Sequence, residues 1–260
     1  MIITNKIAHK TEPRNYDIIV SMTTWKKRID FIEKPIESIC NQTAKIYKFY
    51  LVLSLKEFPD KKIPDFITEY LNKYDFFEIL WVENNIKQFK KNLPVLEKYW
   101  NRNDVVIFTA DDDIYYKENY IATLYDILRT ENENTILTYN FGWPLEKPVI
   151  FADYNKKRVI GKFEILIPSF FNNKIVLNIN EDDIKDAKTN WISEDWWISY
   201  NLLNNNKLQW KFLKYEVLYN LIEFIKDNEI NPLENYWIKI TDEEKLSNVI
   251  KLYNKKQSEY

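Results

Sequence analysis

Short apolar runs alternate with segments of helical periodicity through the first 140 residues, and this alternation constrains the fold more than any other feature. Apolar runs of about four to eight residues between turn signals are typical of buried strands, whereas apolar positions three and four apart indicate amphipathic helices. Parallel strands need crossover connections, which helices usually supply. The sequence therefore predicts an α/β fold with a mostly parallel central sheet flanked by helices.

The periodicity predicts individual elements. The predicted strands of this half are Asp17–Met22, Tyr47–Ser54, Phe77–Val82, Val105–Thr109 and Thr135–Tyr139. The predicted helices are Pro35–Gln42, Pro64–Tyr74, Leu93–Trp100 and a segment with Ile121, Leu124, Tyr125 and Leu128 on one face. In the second half, an irregular stretch, Phe141–Gly161, precedes short predicted strands near Ile165–Ile167 and Lys174–Leu177. Helices are predicted from Ser193 and over about Thr241–Tyr253, the latter with an apolar face formed by Leu246, Val249, Ile250 and Tyr253. We expect this face to pack on the core; the alternative is contact with a membrane or a partner.

Composition restricts the chemistry that is open to the chain. Cys40 is its only cysteine and His9 its only histidine, which excludes a disulfide framework, a Cys/His zinc site and, except through His9, a Ser-His or Cys-His mechanism. We expect His9, in a polar N-terminal stretch, to lie on the surface. A net charge of −2 offers no electrostatic basis for a nucleic-acid partner. Catalysis would depend on carboxylates, a metal, lysine or tyrosine.

The chain shows neither a signal peptide nor an apolar run of the roughly 20 residues that span a bilayer. This indicates a cytoplasmic protein with at most peripheral contact at the inner face of the membrane. Aromatic residues make up 16% of the chain. They either fill a core that is poor in glycine or line a sugar or nucleoside site, because flat apolar faces stack on both.

An aspartate triplet, Asp111-Asp112-Asp113, follows the apolar strand Val105–Thr109 and precedes a helix. Ligands of open α/β sheets bind beyond the carboxyl ends of the strands. Adjacent carboxylates repel one another, so their placement at this edge favours a bound cation, and oxygen ligands suit Mg²⁺ or Mn²⁺. Asp111 and Asp113 alternate in an extended backbone and would face the same ion. The alternative is a solvated acidic turn that caps the helix.

The segment Val105–Tyr116 resembles the strand and DxD motif of bacterial glycosyltransferases of the GT-A fold, in particular family-2-like enzymes that build lipopolysaccharide or capsular chains. Val20–Thr24, Lys27–Ile29 and Ser38–Thr43 are similar to the first strand, nucleotide-contacting loop and first helix of that family. Leu53–Pro59 resembles its second strand and the turn that follows. The resemblance covers about the first 120 residues, although Trp25 stands where a proline is common and glycines are scarce.

The resemblance implies one GT-A-like domain, residues 1–260, with a nucleotide-sugar half at about 15–140 and an acceptor half at about 141–260. It implies a donor, of the UDP-sugar type, held through Mn²⁺ or Mg²⁺ by Asp111 and Asp113. It also implies a saccharide acceptor, free or lipid-linked. The donor-contacting residues that follow from it are Ser21, Thr23, Arg28, Lys90, Lys91, Asp111 and Asp112. For the lysines, the alternative is a solvated loop.

A second acidic site, Glu194-Asp195, follows Ser193. Ser193 is a good N-cap and the helix dipole favours acids in the first turn, so the pair also has a purely structural explanation. By resemblance, this pair opens the acceptor-side helix and one of its carboxylates is the catalytic base. Asp195 is the predicted base of an inverting transfer, with Glu194 orienting it or binding the acceptor. Trp196 and Trp197 either stack on a sugar or fill the core.

Two other functions fit parts of the pattern. A sugar nucleotidyltransferase usually carries a glycine-rich phosphate loop after its first strand, but Val20–Arg28 contains no glycine. A non-catalytic saccharide-binding module would use the aromatic surface and would not require a metal or UDP.

Overall fold

The computed structural model describes residues 15–139, 151–154, 157–159, 165–184, 192–205, 207–213, 215–225 and 242–259. His9 and most of the irregular stretch 141–161 lie outside these ranges.

The strands are β1 (Asp17–Thr23), β2 (Lys48–Ser54), β3 (Phe77–Val82), β4 (Val105–Ala110), β5 (Ile114–Tyr116), β6 (Thr135–Tyr139), β7 (Phe151–Tyr154), β8 (Lys157–Val159), β9 (Ile165–Leu166), β10 (Gln209–Leu213) and β11 (Ile222–Phe224). The helices are α1 (Glu33–Cys40), α2 (Asp65–Lys73), α3 (Leu93–Lys98), α4 (Tyr120–Thr130), α5 (Glu181–Ile184), α6 (Glu194–Leu203), α7 (Tyr215–Tyr219) and α8 (Asp242–Ser258). Single 3₁₀ turns cover Ile29–Phe31, Lys87–Lys91, Pro168–Phe170 and Lys174–Leu177.

The central sheet has the strand order β3-β2-β1-β4-β9. Its first four strands are parallel, and β9 runs antiparallel to β4. Every residue of β4 is buried, and so is every residue of β2 after Lys48. Such unbroken burial arises where both faces of a parallel sheet are covered, which is why these strands read as continuous apolar runs. The predicted α/β fold with a mostly parallel central sheet is confirmed.

The order of strands creates a crevice between β1 and β4. The chain runs from β1 outward to β2 and β3 and then returns to the other side of β1 to form β4. At such a reversal of strand order, the loops that follow the two central strands diverge and leave a ligand-sized gap. Met22 of β1 pairs with Ala110 of β4, so the segments after both strands start side by side.

Within the described residues, three two-stranded sheets lie outside the central sheet. β5 pairs antiparallel with β11, β6 pairs parallel with β10, and β7 pairs antiparallel with β8. The predicted strand Thr135–Tyr139 has the bounds of β6, but its partner is β10. The predicted strand at Lys174–Leu177 is wrong, because these residues form a 3₁₀ turn. The Asn173 side chain accepts a hydrogen bond from the Ile175 N–H (3.0 Å) and thereby starts the turn.

The last helix packs on the helix that carries the second acidic site. On α8, Val249 and Tyr253 are buried, as the apolar face predicted for this helix requires. The Tyr253 ring lies 6.2 Å from the ring of Trp197 and 5.1 Å from that of Tyr200, both on α6. None of the helices within the described ranges is both long and apolar enough to cross a membrane.

Candidate active site

The triplet and the loop after β1 meet at the β1–β4 crevice. The Asp112 carboxylate accepts hydrogen bonds from the Thr24 hydroxyl (2.6 Å) and from the Arg28 guanidinium (3.0 Å). The same Arg28 nitrogen lies 3.1 Å from a carboxylate oxygen of Asp113. One buried arginine therefore holds two neighbouring carboxylates, and the charge repulsion within the triplet is offset at that point.

Burial sets the protonation behaviour of this network. Burial raises the pKa of Asp112 to about 6, although the positive charge of Arg28 and the Thr24 hydrogen bond act in the opposite direction. Burial alone would lower the pKa of Arg28, but the carboxylates of Asp112 and Asp113 outweigh it and raise that pKa above its ordinary value. Arg28 therefore stays charged and supplies fixed positive charge in the crevice.

Lys91 joins the triplet to the acceptor-side helix. Its ammonium lies 2.5 Å from a carboxylate oxygen of Asp111 and 3.6 Å from one of Glu194. The Ser21 hydroxyl of β1 donates a hydrogen bond to the Lys91 carbonyl (2.6 Å), which fixes the backbone of the 3₁₀ turn Lys87–Lys91 against the sheet. The Lys91 ammonium thus joins the segment after β4 to α6, while the Lys91 backbone is tied to β1.

Lys90 precedes Lys91 in the chain, but its side chain has different partners. Its side chain is buried and forms an ion pair with Glu57, and its ammonium also lies 3.4 Å from the Thr24 carbonyl. Lys90 thereby links the turn after β2 to the loop after β1. Thr23 is similarly occupied within the sheet, since its hydroxyl donates to the Val52 carbonyl (2.7 Å).

The acidic pair opens α6 as predicted. The Ser193 hydroxyl accepts a hydrogen bond from the Trp196 N–H (3.3 Å), so Ser193 is the N-cap. Glu194 and Asp195 are half-buried in the first turn, where the dipole favours negative charge. Trp196 and Trp197 are both buried, and the Trp197 indole donates to the Val176 carbonyl (2.7 Å). The tryptophans therefore belong to the core.

The ligand chemistry of the triplet suits a divalent ion. Carboxylate oxygens are the ligands that Mg²⁺ and Mn²⁺ prefer, and the Asp113 side chain is accessible, with 39% of its surface exposed. Asp112 is held inward by Thr24 and Arg28. The described part of the chain contains no ready-made group of three His, Cys, Asp or Glu side chains around one point. Asp111 and Asp113 supply suitable oxygen ligands for such an ion. An ion bound there would lie close to Lys91, which contacts Asp111, and to Arg28, which contacts Asp113.

Some residues of the site carried no clear signal in the sequence. Glu57 lies three residues after β2, at the same edge of the sheet as the triplet, and that position is the signal that could have indicated it. Tyr116 accepts a hydrogen bond from the Asp111 N–H (2.7 Å) and so supports the triplet from β5. Ile225 follows the end of β11, and its N–H donates a hydrogen bond to the Asp113 carbonyl (3.0 Å). No local sequence pattern predicts this contact.

The sequence matches no protein-family model and no curated protein. Solved structures align with the chain at low sequence identity. S. aureus TarS 1–349 in complex with UDP-GlcNAc is 13% identical, with a TM-score of 0.46, and the match covers 92% of this chain and 66% of that one. The glycosyltransferase GlyE of Streptococcus pneumoniae TIGR4 is 14% identical, with a TM-score of 0.45 and coverage of 95% and 64%. This chain therefore spans less than two thirds of either structure.

Proposed function

We propose that this protein is a GT-A-like glycosyltransferase that moves a sugar from a nucleotide-sugar donor of the UDP-sugar type to a saccharide acceptor. One observation carries the proposal. At the β1–β4 crevice, the aspartate triplet lies with two buried cations, Arg28 and Lys91, and Lys91 also contacts Glu194 of α6. A reversal of strand order is where open α/β sheets bind ligands, and the sequence resemblance concerns the segments that form this crevice.

The donor side of the proposed site is built on β1 and β4. Arg28 and Lys91 offset part of the negative charge of the carboxylates around them, at the place where a diphosphate would lie. A bound divalent ion would supply the further positive charge, and such pre-positioned charge stabilises a leaving group without reorganisation. Ser21 and Thr23 act from within β1, where they hold the neighbouring segments in place. Lys90 contributes through Glu57 and the Thr24 carbonyl, which shape the loop after β1.

A divalent ion belongs to this proposal. Asp111 and Asp113 would hold Mg²⁺ or Mn²⁺, which when bound stabilises negative charge on a departing diphosphate. Asp112 stays inward with Thr24 and Arg28, so it orients the loop after β1 toward the same place.

The acceptor side of the proposed site is the first turn of α6. In an inverting transfer, a base removes the proton of the acceptor hydroxyl while that oxygen attacks the anomeric carbon. Asp195 is the proposed base, and Glu194, beside Lys91, orients this turn. We propose that residues from about 15 to 140 form the donor half and residues from about 141 to 260 the acceptor half.

The acceptor class follows from the resemblance to family-2-like enzymes. The proposed acceptor is a saccharide of a cell-surface glycan, of the lipopolysaccharide or capsular type, free or lipid-linked. The proposed location is the cytoplasm, with peripheral contact at the inner face of the membrane when the acceptor is lipid-linked.

The decisive experiment measures UDP release from a panel of UDP-sugars, including UDP-GlcNAc, with Mn²⁺ and with EDTA. We expect turnover of at least one donor with Mn²⁺ and its loss with EDTA. Asp113→Ala should lower turnover by about 100-fold or more, because charge stabilisation at a leaving group contributes that much. Asp195→Asn should lower it by about 100-fold, the effect of removing a general base.

Asp126→Ala is the matched control, since Asp126 is an exposed aspartate of α4 outside the crevice, and its turnover should equal that of the unmodified chain. Full activity in EDTA would remove the metal from the proposal, and full activity of Asp195→Asn would remove the base. UDP-sugar turnover absent under all conditions, together with saccharide binding in calorimetry, would instead favour a non-catalytic binding module.

A further inference from the structure

Lys91 lies between two carboxylates that belong to opposite sides of the proposed reaction. Asp111 belongs to the triplet that follows β4, and Glu194 opens α6. We propose that Lys91 is a positioning residue that couples the two, so that the acidic turn of α6 is held at the triplet. This role rests on the proposed glycosyl transfer and goes beyond a cation that only contacts the donor.

The ammonium of Lys91 is placed with little freedom. Only 10% of the side-chain surface is exposed, and the Lys91 carbonyl is tied to β1 by the Ser21 hydroxyl. The adjacent Lys90 points to Glu57, so the 3₁₀ turn is anchored on both sides of the crevice. A side chain that is fixed in this way does not need to reorganise when its partners are in place.

The charges explain why a lysine is needed at this point. The Asp111 and Glu194 side chains are 26% and 12% exposed, so water screens them incompletely. Without an ammonium between them, two half-buried carboxylates would repel one another and the first turn of α6 would move away from the triplet. Asp195, the proposed base, is the next residue in that turn, so its distance from the donor depends on the same contact.

A coupling role differs measurably from a simple contact with the donor. If Lys91 acted on the diphosphate alone, its removal would lower kcat by the same factor whether residue 194 carried a charge or not. If Lys91 separates Asp111 from Glu194, its removal lowers kcat by a smaller factor once Glu194 is neutral, because the repulsion between the two carboxylates is then gone. A double-mutant cycle therefore distinguishes the two roles.

The experiment measures kcat and KM for UDP release with Mn²⁺ in Lys91→Met, Glu194→Gln, the double variant and Lys91→Arg, together with UDP affinity by calorimetry. We expect Lys91→Met to lower kcat by about 100-fold, because a small displacement of the first turn of α6 misplaces the proposed base. In the Glu194→Gln background, the same change should cost less by a factor on the order of ten. Lys91→Arg, which keeps the charge, should recover most of kcat. The fall in UDP affinity should be smaller than the fall in kcat.

Lys87→Met is the matched control, because Lys87 belongs to the same 3₁₀ turn, is exposed and loses the same charge. It should leave kcat unchanged. If Lys91→Met does not fold, Lys91→Gln replaces it in the cycle. Multiplicative effects of the two substitutions would overturn the coupling role and leave the proposed transferase intact. An unmodified chain that turns over no UDP-sugar would overturn the proposed function and this role with it.

Discussion

Arg28 is the residue on which the geometry of the triplet depends. Its guanidinium contacts both Asp112 and Asp113, and the arginine and Asp112 side chains are 8% and 17% exposed. An ion pair that is shielded from water in this way is weak evidence of net stability, but removal of one partner leaves an unpaired buried charge. Arg28 thus matters because its removal would leave its carboxylate partners without a counter-charge.

Arg28→Met should lower the free energy of unfolding by about 3 kcal/mol, because Asp112 and Asp113 lose their shared cation. The shielded Asp112 must then stay charged without a partner or take up a proton, and both cost free energy. Adding Asp112→Asn should recover much of this loss, since the neutral amide leaves no charge unpaired. Urea unfolding followed by tryptophan fluorescence measures both changes. Arg102→Met, at a surface ion pair with Asp104, is the control and should change little. Equal effects at Arg28 and Arg102 would contradict this account.

At the scale of elements, Gln42 fastens the end of α1 to the segment that follows the triplet. Its amide donates hydrogen bonds to the carbonyls of Ser38 (2.9 Å) and Lys117 (2.8 Å), and its oxygen accepts one from the Ile121 N–H (2.8 Å). The next residue, Thr43, donates its backbone N–H to the Glu118 carbonyl (2.8 Å). The hydrogen bonds of the Gln-Thr pair therefore connect the end of α1 to the start of α4, which is a physical reason for this pair at the end of the first helix.

Gln42→Ala should lower the free energy of unfolding by about 2 kcal/mol, since it removes bonds to at least two distant backbone groups at about 1 kcal/mol each. Thermal or urea unfolding of the purified variant measures this loss. Gln257→Ala, at an exposed position of α8, provides the comparison and should be neutral. Should both variants unfold at the same urea concentration, the hydrogen bonds of Gln42 do not contribute to stability.

At the scale of the whole molecule, buried acidic groups with raised pKa values should make the fold sensitive to alkali. Burial, followed by the hydrogen bond with Tyr99, raises the pKa of Tyr50 well above its ordinary range. Burial also raises the pKa of Cys40 to about 12. Between the ordinary and the raised pKa, the native chain keeps protons that the unfolded chain releases, so stability falls as pH rises.

The free energy of unfolding should therefore decrease steadily from about pH 9 upward, the region where an unperturbed thiol and phenol begin to ionise. Urea midpoints at a series of pH values measure the slope. Tyr50→Phe should make the slope shallower, because it removes one of the groups that ionise only on unfolding. Tyr219→Phe, at a tyrosine that is 55% exposed and does not contact Tyr50, provides the comparison variant. A midpoint that stays constant up to pH 11 would contradict the prediction.

The amino-acid pattern by itself determined the local elements of the first half. The strands Phe77–Val82 and Thr135–Tyr139 have the predicted bounds, and the triplet follows a buried strand as predicted. The N-cap at Ser193 was also predictable, because capping depends on residues within one turn. Such features are readable because burial of a strand or a helix face imposes a short period on the sequence.

Only the tertiary structure decided which charged side chains meet. Lys90 and Lys91 are neighbours in the sequence and the same role is predicted for both, yet one pairs with Glu57 and the other with Asp111 and Glu194. The strand Thr135–Tyr139 likewise pairs with β10, more than 70 residues away, and not with the central sheet. Hydropathy records whether a residue is buried, whereas a partner far along the chain is selected by how the elements pack, which no local period encodes.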